Sequence, residues 1–166
     1  MSRPSDLSPT LFLLEDQEDF QTFSLKLLAN TRRNLAILSR DLDPAIFNSD
    51  EFAEAVSQLA RSSRYAQVQI LVKNTRPLLE SNHKLLRLAQ RLSSKIILRK
   101  MTIEPDNKEM AFMLCDNSGL LYQNDEATYQ GFANFDATVE VKRLRESFDY
   151  IWQYGEADPE LQQLHI

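Results

Sequence analysis

Few residues in this chain combine chemistry with suggestive spacing. Asp41 and Asp43 stand two apart in Arg40-Asp41-Leu42-Asp43-Pro44, a stretch that follows a short apolar run. Carboxylates so placed could share a hard cation, although Mg and Ca sites usually draw on further oxygen donors or a phosphate. The structural alternative has Asp43 priming the turn before Pro44 while Asp41 pairs with an arginine. Lys73 and Arg76 follow a second apolar run. With Arg40 they could clamp a phosphate or carboxylate, the guanidiniums by their bidentate fork. They could equally be solvated, or salt-bridged to Asp41 or Asp43. His83 shares a helical stripe with Leu79, Leu86 and Gln90. It could titrate as a switch near neutral pH or be a partly buried structural residue. Cys115 ends an apolar run and reads as an inert core thiol.

Composition narrows the choices. With 3 Gly in 166 residues the chain builds no phosphate-cradling P-loop or GxGxxG turn. With 1 Cys and 2 His it offers no disulfide and no Cys-rich zinc site, and no cofactor or metal is expected. The net charge of -5 is unevenly spread. Residues 31–100 carry 13 basic and 6 acidic groups, whereas residues 101–166 carry 4 and 13. The division is either a set of solvated faces or a surface for an anionic ligand. Arg61, Arg64, Lys84, Arg87, Arg91 and Lys95 could track a nucleic-acid backbone. The negative overall sign and the lack of a reader motif or stacking platform argue against it. Nothing resembles a signal peptide or a membrane span, so a cytoplasmic protein with no membrane partner is expected.

These residues need elements to position them. Residues 1–15 read as a loose arm (1–9) and a short extended segment (10–14), and residues 16–166 as a single domain. Asp16 caps a helix whose Phe20, Phe23, Leu27 and Leu28 recur at helical spacing. Apolar runs at 35–38, 67–72 and 96–98 read as strands alternating with helices. The first intervening helix is capped by Asp50. The second starts at Pro77, carries Leu78, Leu85, Leu88 and Leu92 as its stripe, and places His83 in mid-helix. Residues 110–115 and 120–123 flank the turn Asp116-Asn117-Ser118-Gly119. A short strand at 131–135 and a helix at about 138–154 follow. The alternating part implies parallel strands and the later part antiparallel ones. The expected fold is therefore α/β, a mixed sheet flanked by helices. In such a sheet ligands favour the crevice at the strands' carboxyl ends. That crevice would gather the loops after residues 40 and 73 and, if the 110–115 strand is antiparallel, Glu109.

This order resembles one half of a phospholipase D superfamily domain. The residues from Glu109 to Asp116 fill the frame of that family's HxKxxxxD motif. Asp116 keeps its identity, but Glu109 stands at the His position and Ala111 at the Lys position. Gly131-Phe132-Ala133-Asn134 is similar to the family's GSxN strand, with Phe132 for Ser and a longer stretch separating it from Asp116. The chain also resembles a set of small uncharacterised proteobacterial proteins with Ser-Arg-Asp-Leu-Asp-Pro near the first strand. The superfamily's chemistry uses a His nucleophile, a second His as acid and a Lys on the phosphate. The resemblance therefore implies a catalytically inactive copy, with Glu109, Ala111, Asp116, Gly131 and Asn134 as degenerate motif positions. Its role would be binding or regulation, with a protein partner or an anionic ligand at Arg40, Asp41, Asp43, Lys73 and Arg76. Because two halves normally pack together, it also implies a homodimer through a face bearing Tyr150, Trp152 and Tyr154. The alternatives are a nucleic-acid-binding accessory protein, and a metal-dependent hydrolase or phosphotransferase using Asp41, Asp43 or Glu109.

Overall fold

Successive side chains along a strand point to opposite faces, and because the central strands are apolar on both, the sheet must be covered on both sides. The structure, a computed structural model, describes residues 4–5, 8–108 and 110–162. The elements run β1 (Pro4–Ser5), β2 (Ser8–Leu14), α1 (Gln17–Ala29), β3 (Asn34–Ser39), α2 (Pro44–Phe47) and α3 (Asp50–Arg61). They continue as β4 (Gln67–Val72), α4 (Arg76–Ser81), α5 (Lys84–Arg91), β5 (Ile96–Lys100), β6 (Ala111–Cys115) and β7 (Gly119–Gln123). The chain closes with β8 (Gly131–Asn134), α6 (Thr138–Gln153) and α7 (Pro159–Gln162). One sheet takes the order β1-β2-β8-β7-β6-β3-β4-β5. β3, β4 and β5 are parallel, and β6, β7, β8 and β2 each pair antiparallel.

One face of the sheet sends Leu35, Ile37, Val68, Ile70 and Met113 into a core shared with α1, α3 and α5. The intervening residues Ala36, Leu38, Leu71, Phe112 and Leu114 face α6, which contributes Val141, Phe148 and Ile151. Helices thus cover both faces of a mixed sheet, the α/β architecture that the element order predicts. Among the described residues no helix is long and apolar enough to cross a membrane.

The structure departs from expectation in three places. The first is the start of the chain. There Pro4–Ser5 pairs with β2, and β2 pairs with β8, Leu14 opposite Gly131. The edge of β8 offers backbone groups that the apolar residues of β2 can cover, so part of the expected loose arm is sheet. The second is the cap of α3, where Ser49 accepts the Phe52 N–H at 3.0 Å. Asp50 instead becomes the first helical residue, where its charge meets the helix dipole. The third is the helix after β4, which is two helices. Asn82 adopts φ 52°, a left-handed conformation that ends α4. His83 then caps α5, Nδ1 accepting the Leu85 N–H at 3.1 Å.

Candidate functional site

The carboxyl ends of β3, β4 and β5 lie at the same edge as the start of β6, the end of β7 and the start of β8. At this rim the 124–130 loop folds back over the end of β3. Ser39 donates its hydroxyl to Glu126 Oε2 at 3.1 Å, and the Arg40 N–H donates to Oε1. Leu42, buried with φ 54°, donates its N–H to Ser39 Oγ at 2.9 Å. Asp41 accepts from the Asn74 amide at 2.6 Å, tying the end of β3 to that of β4. Asp43 accepts the Ala45 N–H at 2.9 Å with one oxygen and the Tyr129 hydroxyl at 2.8 Å with the other.

A cavity of about 370 Å³ opens here, lined by Arg40, Asp41, Asp43, Pro44, Glu126 and Ala127. Burial pushes the Glu126 carboxyl up to about 7. The Arg40 N–H and the Ser39 hydroxyl pull it down, and the charges of Asp41 and Asp43 push it up. Glu126 is thus a carboxyl that holds its proton close to neutral pH. Sequence reasoning missed it because an acid between Asp125 and Ala127 in a polar loop reads as solvated. Tyr129 belongs to the same loop, and only the fold brings its hydroxyl to Asp43.

Three of the five candidate ligand residues meet at this cavity. The other two do not, and both have nearer carboxylates. Lys73 forms an ion pair with Glu104. Arg76 pairs with Glu80 one helical turn on, at 2.9 Å, with its side chain 88% exposed. Asp43 takes the turn-priming role foreseen as its structural alternative, whereas the partner of Asp41 is an amide rather than an arginine. His83 is 1% exposed, and its Nε2 lies 3.0 Å from the Leu42 carbonyl. With Nδ1 occupied as an acceptor, the ring is neutral and donates to Leu42, and burial lowers its pKa to about 4. It braces the 40–43 loop from below instead of facing the rim. Burial likewise raises the Cys115 thiol to about 12, consistent with a core role. Among the described residues no group of three or more His, Cys, Asp or Glu is disposed to hold a metal.

The motif frame is split between opposite edges. Glu109 lies outside the described residues. Ala111 starts β6 at the rim, 4% exposed and opposite Gln123. Gly131 is also at the rim, and a Cβ there would fall 1.9 Å from the Tyr122 carbonyl oxygen. Close backbone approach therefore accounts for that glycine. Phe132, in the Ser position, stacks on Tyr122 with ring centroids 5.4 Å apart. Asn134 lies at the far end of β8 and accepts from the Thr10 hydroxyl at 2.8 Å and the Asp136 N–H at 3.0 Å. Asp116 is at that same far edge, where its carboxylate accepts the N–H groups of Arg32, Arg33 and Asn34, each at 2.9 Å. Asp116 thus holds the entry to β3, one strand length from the rim.

Solved structures share this fold at low identity. TrmBL2, an archaeal chromatin protein described as showing a novel mode of DNA binding, matches with TM-score 0.64 and 16% identity over 89% of this chain. The match covers 54% of TrmBL2, so this chain spans about half its length. Nuc from Salmonella typhimurium, a phospholipase D family member, matches with TM-score 0.56 and 11% identity, over 81% of this chain and 88% of Nuc. NucT from Helicobacter pylori matches with TM-score 0.55 and 13% identity, over 89% of this chain and 97% of NucT. The architecture is therefore phospholipase D-like. No curated protein matches the sequence. The profile of DUF7931, a domain of unknown function, matches residues 16–164, and the chain belongs to that family.

Proposed function

We propose that this is a catalytically inactive phospholipase D-like domain that acts by binding. The observation that carries this reading is Ala111, buried and uncharged at the position where the superfamily places the lysine that holds phosphate. Two further features support it. His83 is sealed beneath the rim with both ring nitrogens engaged. The cavity that remains sets the carboxylates of Asp41 and Asp43 beside one lining cation, Arg40, and so offers a phosphate little net attraction. The metal-dependent alternative finds less support, because both oxygens of Asp43 and one of Asp41 already accept hydrogen bonds within the rim. Purified protein assayed on bis(p-nitrophenyl) phosphate is expected to match the buffer blank. Hydrolysis that persists through purification and disappears in Glu126→Gln overturns the reading.

The binding partner we infer at α6 is a second copy of this chain. Tyr150 and Tyr154 are 56% and 49% exposed, their rings 5.3 Å apart. They adjoin a groove of about 590 Å³ between α6 and the 101–110 loop, lined in part by Ile103, Met110, Leu144 and Ile151. Two-fold pairing would place this patch on both partners. Trp152, expected in the same face, instead stacks on Phe148 at 5.7 Å and lies under the Arg99 guanidinium at 4.4 Å. Its apolar ring and the cation satisfy each other within one molecule. Sedimentation equilibrium at micromolar concentration should return a dimer mass for the wild type and a monomer mass for Tyr150→Glu. A monomeric wild type would count against pairing.

A further inference from the structure

We infer that the edge where β3, β4 and β5 begin, opposite the rim, is a surface that contacts the phosphates of a nucleic acid. This inference is independent of whether the rim is catalytic. The loops entering these three strands carry Arg32 and Arg33, then Arg64, then Lys95, and α3 and α5 end beside them in Arg61 and Arg91. The terminal arginines have a local explanation, since cations favour helix carboxyl ends, and Arg61 also pairs with Glu54 at 3.8 Å. Lys95 pins the neighbouring loop by donating to the Ser63 carbonyl at 2.9 Å. Arg32, Arg33 and Arg64 have no such explanation, because none of them forms an ion pair among the described residues.

Arg33 and Arg64 are nevertheless held together. Their guanidinium carbons lie 5.3 and 4.9 Å from the centroid of Tyr65, a ring 58% exposed, and Arg64 donates to the Tyr65 hydroxyl at 2.7 Å. Two like charges are thereby fixed at one aromatic ring without a carboxylate between them. Stacked guanidiniums lose less freedom on binding a phosphate than free ones do. The Asp116 carboxylate, in the turn after β6, already accepts three backbone N–H groups. Arg32 reaches a cavity of about 620 Å³ lined also by Asn30, Thr31, Gln58, Ser62 and Ser63, with hydroxyls and amides but no carboxylate. The cations spread over three successive loops rather than converging in that cavity. Neighbouring strands are about 4.8 Å apart, so the array is a strip, which suits a polymer of phosphates better than a single one. Lys84 and Arg87, included in the basic set from sequence, stand near the start of α5 and outside this edge.

The test is fluorescence anisotropy with a labelled oligonucleotide of about 20 nucleotides, single-stranded and duplex, in salt from about 20 to 200 mM. Binding at low salt that weakens steadily with salt is expected. Arg33→Glu with Arg64→Glu should lower affinity at least about tenfold and reduce the salt slope by about 1.4–1.8. Arg76→Glu with Lys100→Glu, an equal charge change at the rim, should leave binding unchanged. If circular dichroism shows the first pair unfolded, the Arg33→Gln, Arg64→Gln pair decides by the same loss. No binding at the lowest salt overturns the inference, as does equal loss in both charge reversals. Complete displacement of the oligonucleotide by an equimolar mononucleotide also overturns it, since the site would then be a small-ligand pocket.

Discussion

Asp116→Ala is expected to lower the unfolding free energy by about 2–4 kcal/mol, with Asn the mildest replacement and Gly intermediate. Two separable terms set that order. The carboxylate accepts three backbone N–H groups, two on Oδ1 and one on Oδ2. Bonds of this kind to a charged acceptor contribute most when buried, and the partial exposure here reduces each below its full value. Asp116 also has φ 54°, where a Cβ without a polar side chain costs about 1–2 kcal/mol. Alanine loses both terms. Glycine recovers the backbone conformation but not the carboxylate. Asparagine keeps the conformation and one carbonyl oxygen, so the Arg33 and Asn34 N–H groups keep their acceptor and only Arg32 loses it. Urea midpoints for the three variants measure the series. An alanine variant within about 0.5 kcal/mol of wild type, or an asparagine variant as unstable as alanine, would show that the bonds contribute little. The consequence reaches the expected motif frame, because how β3 begins gives Asp116 a structural role of its own.

How much of this was readable from sequence depends on whether the cause is local. The apolar runs at 67–72 and 110–115, the helical spacing of Phe20, Phe23, Leu27 and Leu28, and the cap at Asp16 are written in neighbouring residues, and the structure repeats them. Asp43 before Pro44 was legible as a turn primer for the same reason. The pairing of Arg76 with Glu80 was also present in the sequence as an i, i+4 spacing, and Arg76 does not line the rim cavity. What sequence could not place were effects of long-range packing. Glu126 is buried only because the loop after β7 lies over the end of β3, 87 residues earlier in the chain. The residues of β2 become sheet only because β8 is there to pair with them. Trp152 is placed by Phe148 on its own helix together with Arg99 arriving from β5. The break at Asn82 is an intermediate case. Asn tolerates the left-handed region, but the leucine stripe on both sides carried the helical reading through it.

Stability at the rim should depend on pH through two groups with opposite slopes, and substitution should separate them. Glu126 has its folded pKa raised from 4.5 to about 7. Its neutral burial favours folding fully below pH ~4.5, and that contribution is lost as pH rises through about 7. His83 has its folded pKa lowered from 6.5 to about 4. Its neutral burial favours folding fully above pH ~6.5, and that contribution is lost as pH falls through about 4. Each shift corresponds to at most about 3 kcal/mol, and solvent screening at the partly exposed Glu126 reduces its share to about 1–3 kcal/mol. Between pH ~4.5 and ~6.5 the slopes oppose, so in the wild type the two groups together give a nearly flat profile. Glu126→Gln should unmask the histidine, with stability rising from pH ~4 to ~6.5 and then level. His83→Gln should unmask the carboxyl, with stability falling from pH ~4.5 to ~7. Urea midpoints across this range read the slopes, so a uniform offset from the lost cap of α5 does not obscure them. Profiles parallel to wild type in both variants would sink the assignment. The geometry explains why the two groups belong together. Glu126 grips Ser39 and Arg40 from the solvent side, while His83 holds the Leu42 carbonyl from the core side. The loop that bears Asp41 and Asp43 is thus clamped by two neutral groups in one pH window, and each boundary of that window is set by the charging of one of them.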